Sequence, residues 1–144
     1  MNNIEVKIAD SSDIEKLILA FKELRPHRSE EELKDLFPIL FNEGYRVVYI
    51  GDEKLAFAVL GFRIITTLFS GKTLYVDDLG TLPSFKKRGY AGQLFEWTKK
   101  YAKEKNCDHF SLDSGFHRKE AYRFYLNKGL FVESLHFGRN VKEL

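Results

Sequence analysis

At 144 residues, 44% hydrophobic and 31% charged, the chain is long enough to bury a core and reads as one globular domain over residues 1–144. A formal net charge of only +2 argues against a general polyanion binder, so nucleic acid is not an expected partner. One cysteine, Cys107, excludes an intrachain disulfide, and neither a signal peptide nor a membrane-spanning apolar run is visible, which together predict a cytoplasmic protein without a membrane partner.

Ile4, Val6 and Ile8 alternate with polar residues, as in a half-buried strand. Ser12 followed by Glu15 fits a capping box, and Ile14, Leu17, Ile18, Phe21 and Leu24 then follow helical spacing. Ser29 and Glu32 repeat that signature ahead of Leu33, Leu36, Phe37 and Leu40, with Pro38 predicted to kink or split the helix. The Arg25-Pro26-His27-Arg28 link is short and polar.

Two strand-like runs follow, residues 45–50 and 55–67, joined by the turn Gly51-Asp52-Glu53-Lys54. Ser70-Gly71-Lys72 turns the chain into a third strand over residues 73–82, completing an antiparallel meander. Ala91, Leu94, Phe95, Thr98, Tyr101 and Ala102 then line one face of a helix that stops at Asn106. Residues 109–113 read as a short strand, residues 119–127 as a helix closed by Gly129, and residues 130–133 and 135–141 as two last strands. The fold class is therefore mixed α/β, in the order β-α-α-β-β-β-α-β-α-β-β. The strand–helix–strand unit over residues 73–113 predicts a parallel crossover inside a mixed sheet.

The richest stretch is Lys86-Lys87-Arg88-Gly89-Tyr90-Ala91-Gly92, a basic, glycine-containing turn leading from a strand into a helix. A helix N-terminus carries unpaired N–H groups and partial positive charge, and glycine lets a ligand approach the backbone. Three cationic side chains beside such a turn point to a pyrophosphate, and so to a nucleotide-like cofactor. Taken alone, the motif is explained somewhat better by a solvated basic turn.

Order and motifs together resemble the GNAT superfamily of acyl-CoA-dependent N-acyltransferases. The superfamily pattern, Gln/Arg-x-x-Gly-x-Gly/Ala, reads here as Lys86-Lys87-Arg88-Gly89-Tyr90-Ala91, with Lys86 departing from the usual first residue. A second match is Ala121-Tyr122-Arg123-Phe124-Tyr125, followed by Lys128-Gly129. The detailed likeness covers about residues 73–132. A narrower likeness, through Leu112-Asp113-Ser114-Gly115, Arg118 and His136-Phe137, is to the branch that includes aminoalkylphosphonate acetyltransferases.

The resemblance implies a splayed central sheet flanked by helices, acetyl-CoA as donor and an amine as acceptor. It places the cofactor pyrophosphate on residues 87–92, with Lys86, Lys87 or Arg88 screening its charge and Arg118 within reach of a phosphate. Gly80, a lone glycine in the strand, is expected to mark a bulge that parts this strand from the next. The gap would admit the pantetheine arm beside Leu79, Gly80 and Thr81. Asp77 and Asp78 are candidates for the base or amine-binding group, and only one is expected to face the site, with a slight preference for Asp78. Tyr125 would act as general acid toward the leaving thiolate. Asp113 and His117 are further pocket candidates, and Tyr45 and Phe62 could line the acceptor side. The histidines show no metal-ligand spacing, so no metal is expected. The competing reading is a catalytically silent acyl-CoA-binding regulatory module, and a homodimer joined through the C-terminal strands is compatible with the pattern.

Overall fold

The computed structural model describes residues 5–144, so Ile4 of the first expected strand lies outside the described residues. Asp10 and Asp13 open the first helical stretch with a reciprocal cap. Asp10 accepts from the Ser12 amide at 2.8 Å, and Asp13 accepts from the Asp10 amide at 3.0 Å. This box replaces the expected Ser12–Glu15 pair, because Ser12 already sits inside a tight turn and gives its hydroxyl to Asp10. Helix α1, Ile14–Leu24, then buries Leu17, Ile18, Ala20 and Phe21.

Helix α2, Glu30–Asn42, carries the expected Ser29–Glu32 box and buries Leu33 and Phe37. It runs unbroken through Pro38 rather than splitting there. Pro38 lies on the exposed side, where water can satisfy the carbonyl that proline leaves without a donor. Phe37 meets Phe21 edge-on at 5.1 Å, fastening α2 to α1.

Five strands form one sheet in the order β1-β2-β3-β4-β5: β1 Lys7–Ile8, β2 Arg46–Gly51, β3 Ala56–Thr67, β4 Gly71–Thr81 and β5 His109–Leu112. Neighbours are antiparallel except β4 and β5, which are parallel as the crossover predicts. Helix α3, Tyr90–Glu104, makes that crossover, and α4 is Lys119–Asn127. Side-chain alternation covers both sheet faces. Val47, Tyr49 and Val59 pack with α1 and α2, while Val48, Ile50, Leu60 and Leu74 pack with α3.

Two further expectations need correction. The bulge in β4 is not at Gly80, which pairs in register with Val59. It falls at Asp77, because Gly61 pairs with Asp78 and Phe62 with Val76, leaving Asp77 extra. Gly80 answers a different need: a Cβ there would lie 3.3 Å from Leu24 Cβ, so its hydrogen lets α1 approach the sheet. The second correction is at the C-terminus, where residues 130–140 form no strand and a short 3-10 turn covers Val141–Glu143. Strand periodicity needs a paired neighbour, and no backbone ladder joins this segment to β5.

Candidate active site

The extra residue at Asp77 shapes the centre of the molecule. β4 pairs with β5 only from Thr73–His109 to Val76–Leu112, after which the two strands part. Residues 76–79 therefore lie along an open cleft of about 170 Å³, and Gly80 and Thr81, expected beside the cofactor, are not part of its lining. Asp77, Asp78, Leu79, Asp113, Arg118 and Tyr125 all line it. The expectation that only one aspartate faces the cleft fails for a physical reason: a bulge breaks strict strand alternation and turns both toward it.

The two carboxylates are held differently. Asp77 takes a bidentate pair of bonds from Arg63, at 3.0 Å from Nε and 2.7 Å from Nη2. Burial still pushes its carboxyl above the ordinary value, against the lowering effect of Arg63. Asp78 receives Arg25 Nε at 3.0 Å and Nη2 at 2.8 Å on one oxygen, and the Tyr45 hydroxyl at 2.6 Å on the other. Arg25 Nη2 also donates to the Asp77 carbonyl at 3.1 Å, tying the end of α1 to the bulge.

Tyr45 is 1% exposed and reaches Asp78 across the sheet because the neighbouring β3 residue is Gly61. A Cβ at Gly61 would lie 1.7 Å from the Tyr45 hydroxyl oxygen, so only glycine leaves room for this contact. Burial first, then the Asp78 charge, pushes the Tyr45 phenol well above its ordinary value and keeps it a donor.

Tyr125 stands on the far wall of the cleft. Its ring packs against Phe95 at 6.1 Å, and Phe95 in turn meets Phe110 and Phe124 edge-on. Burial raises its phenol, against a smaller lowering effect of Arg118. On the β5 side, the Ser114 hydroxyl is buried without a partner, a donor free to meet a ligand in the cleft. Asp113 receives the Tyr75 hydroxyl, and His117 shares the cleft lining.

The basic turn lies further along β4. Lys87 and Gly89 both take left-handed conformations, at φ 63° and 80°, folding the loop tightly before α3. Gly89 is the N-cap and offers no side-chain cap, so the first amides of α3 stay available. Phe57 stacks on Phe85 at 4.0 Å and on Tyr90 at 6.2 Å, pinning both ends of the turn. Arg88 lies 5.1 Å over the Phe85 ring, and Lys86, Lys87 and Arg88 are all exposed.

A second cavity, of about 320 Å³, opens between α1 and α2. Phe21, Leu33, Phe37 and Leu40 make its apolar wall, and Arg25 and Arg28 supply positive charge beside His27. Arg25 and Asp78 line both cavities, and Tyr45 joins them on this side as expected. Phe62, the other expected pocket residue, instead packs edge-on against Tyr101 beneath α3. Sequence reasoning missed Arg25, Arg63, Gly61 and Ser114. The signals were a glycine opposite large residues in β3 and two arginines that resemble solvated charge.

The model of the acetyltransferase (GNAT) family matches residues 13–130. The chain belongs to this family. It is 28% identical over 113 residues to an uncharacterized N-acetyltransferase, YhdJ, of Bacillus subtilis strain 168, covering 78% of this chain and 80% of that one. The GNAT fold recurs in the solved structure of an aminoglycoside N-acetyltransferase, AAC(6')-Iy, in complex with CoA. There the TM-score is 0.81 at 18% identity, over 96% of this chain and 95% of that one. A transcriptional regulator from Bacillus halodurans C-125 superposes at TM-score 0.83 with 19% identity, covering 96% and 99% of the two chains.

Among the described residues, no cluster of three or more His, Cys, Asp or Glu side chains is placed to hold a metal ion. No described helix is long and apolar enough to cross a membrane.

Proposed function

We propose that this GNAT acetyltransferase, acting as one cytoplasmic domain, moves an acetyl group from acetyl-CoA directly to a primary amine of a small molecule or peptide. The observation that carries this reading is the parting of β4 from β5 after Val76 and Leu112, with Asp77, Asp78 and Tyr125 around the gap. When bound, acetyl-CoA supplies an activated acetyl thioester. The residues present fit it. Leu79 offers strand backbone along the cleft, with Gly80 and Thr81 continuing the strand, Ser114 offers an unpartnered hydroxyl, and Gly89 caps α3 without a side chain beside a positively charged turn. Lys86, Lys87 and Arg118 are the cations for its phosphates.

In the reaction a C–N bond forms and the thioester C–S bond breaks. The carboxylates attract the protonated amine, and Asp77, its carboxyl raised by burial, is the proton acceptor. Asp78, fixed by Arg25 and Tyr45, positions the amine. A backbone N–H near Leu79 steadies the carbonyl oxygen as it gains charge. Tyr125 keeps its proton because burial raises its phenol, and it gives that proton to the departing sulfur.

The acceptor enters from the α1–α2 cavity, where an apolar wall meets a cationic rim. That combination favours an amine carrying both an apolar body and an anionic group. Thiol release with acetyl-CoA tests this across paired amines. L-Phenylalanine should turn over faster than phenethylamine, which lacks the carboxylate, and faster than spermidine, which lacks both features. No thiol release with any amine would overturn the transferase reading. A preference for spermidine would overturn the acceptor class alone.

A further inference from the structure

Arg25 and Asp78 line both cavities, and they carry opposite charges in direct contact, with Nη2 2.8 Å from Oδ1. Their side chains remain 38% and 16% exposed, so a ligand can reach them. The pair is held in place from both sides. Tyr45 donates to the other carboxylate oxygen at 2.6 Å. Arg25 opens the link between α1 and α2, which Lys22 braces by donating to the Pro26 and Arg28 carbonyls at 3.2 and 2.6 Å.

The bonds already made define what the pair can still take. Arg25 gives its Nε hydrogen and both Nη2 hydrogens to Asp78 and to the Asp77 carbonyl, and Nη1 carries the rest. Asp78 receives two of these bonds on Oδ1 and the Tyr45 hydroxyl on Oδ2, which leaves Oδ2 room for a further donor. The open valences are donors on one residue and an acceptor on the residue it touches. Charge points the same way. A simple amine would set a second cation beside a carboxylate that already holds Arg25, and like charges in contact are unfavourable. A ligand that brings its own anion to Arg25 turns this into an alternating arrangement.

Because the two residues touch, such a ligand must carry its amine and its anion close together. An α-amino acid does, since its ammonium and carboxylate share one carbon. Added methylenes in a β- or ω-amino acid move the charges apart. An amidated carboxyl, as at the N-terminus of a peptide, offers Arg25 no charge at all.

We infer that the acceptor is a free α-amino acid with an apolar side chain, its amine on Asp78 and its carboxylate on Nη1 of Arg25. The side chain lies along Phe21, Leu33, Phe37 and Leu40. The inference rests on the transferase reading above and narrows it, placing peptides and simple amines among the poor acceptors. The products are an N-acetyl amino acid, the free thiol and one proton. The nitrogen gains the acetyl carbon and sheds two protons, one to Asp77 and one that replaces the proton Tyr125 gives to the sulfur.

The test compares L-phenylalanine, L-phenylalanine amide and L-β-homophenylalanine as acceptors, by thiol release from acetyl-CoA, and titrates each into the protein by calorimetry. The acid should exceed both analogues in kcat/KM by about tenfold or more. In Arg25→Gln the ratio of acid to amide should fall to about one, and Arg25→Lys should restore part of it. Equal use of acid and amide by the native protein overturns the inference and leaves the transferase reading standing. Equal or better use of the β-homologue overturns the α spacing. A folded Arg25→Gln that keeps the preference overturns the role of Arg25, and if this variant does not fold, the native series decides alone. If no amine releases thiol, the transferase reading fails and calorimetry decides: tighter binding of the acid than of the amide upholds the recognition, and no binding of the acid overturns it.

Discussion

Gly61 and Tyr45 show how much of this site rests on single atoms. The Tyr45 hydroxyl occupies the space a β3 side chain would need, and from there it donates to Asp78. Replacing Gly61 with alanine forces the ring aside, and overpacking of this kind costs about 1–3 kcal/mol. Urea denaturation of Gly61→Ala should show that loss, and acetyl transfer should fall with it. Tyr125 lies at the opposite wall, and Tyr125→Phe should fold normally. Its kcat should drop by about 10²-fold or more, the usual weight of a general acid, while acetyl-CoA affinity holds. Asp77 adds a pH signature. Because its carboxyl is raised above 3.8 by burial, it accepts protons only at pH above that raised value. The kcat profile should therefore be full at higher pH and fall as pH drops through the Asp77 value, and Asp77→Asn should erase this limb. An unchanged profile in Asp77→Asn would assign the proton transfer to another group.

At the level of elements, α2 carries an avoidable cost. Pro38 deprives Lys34 of a helical hydrogen bond inside an otherwise regular helix. Since Pro38 is exposed, Pro38→Ala should stabilise the fold by up to about 3 kcal/mol in chemical denaturation. A loss of stability would mean that the proline ring packs usefully. This helix also shows what sequence can reveal. Its capping box and apolar face were legible because they depend on neighbours three and four residues away. The parallel crossover, Asn106 and Gly129 were legible on similar grounds, the last two adopting positive φ where helices stop. The bulge at Asp77 was hidden because register is a property of two strands, and Gly80 gave a misleading cue by answering to Leu24 on a distant helix. Arg25 and Arg63 were hidden likewise, since their partners lie 53 and 14 residues away. The two C-terminal strands were misread because a local pattern does not report whether a paired neighbour exists.

At the scale of the whole molecule, the sheet is one surface serving two cavities. Its bulge parts β4 from β5, and the Arg25–Asp78 pair lies where the cleft meets the α1–α2 cavity. This layout is what the proposed direct transfer requires, an amine and a thioester approaching the same carboxylates from different sides. Lys86, Lys87 and Arg88 stand together at the turn before α3, while the chain as a whole carries only +2. Anion binding should therefore depend on that turn and not on a general field. Gly89 is the position to probe, because its φ of 80° sits at the N-cap and a Cβ added there would meet no atom within 4 Å. A glutamate at this position would add negative charge and backbone strain where the phosphates are proposed to sit. The most direct measurement is calorimetric titration of acetyl-CoA into the native protein and into Gly89→Glu. The account predicts measurable 1:1 binding to the native chain and a loss of at least tenfold in the variant. Equal affinity in both would contradict the cofactor site proposed here.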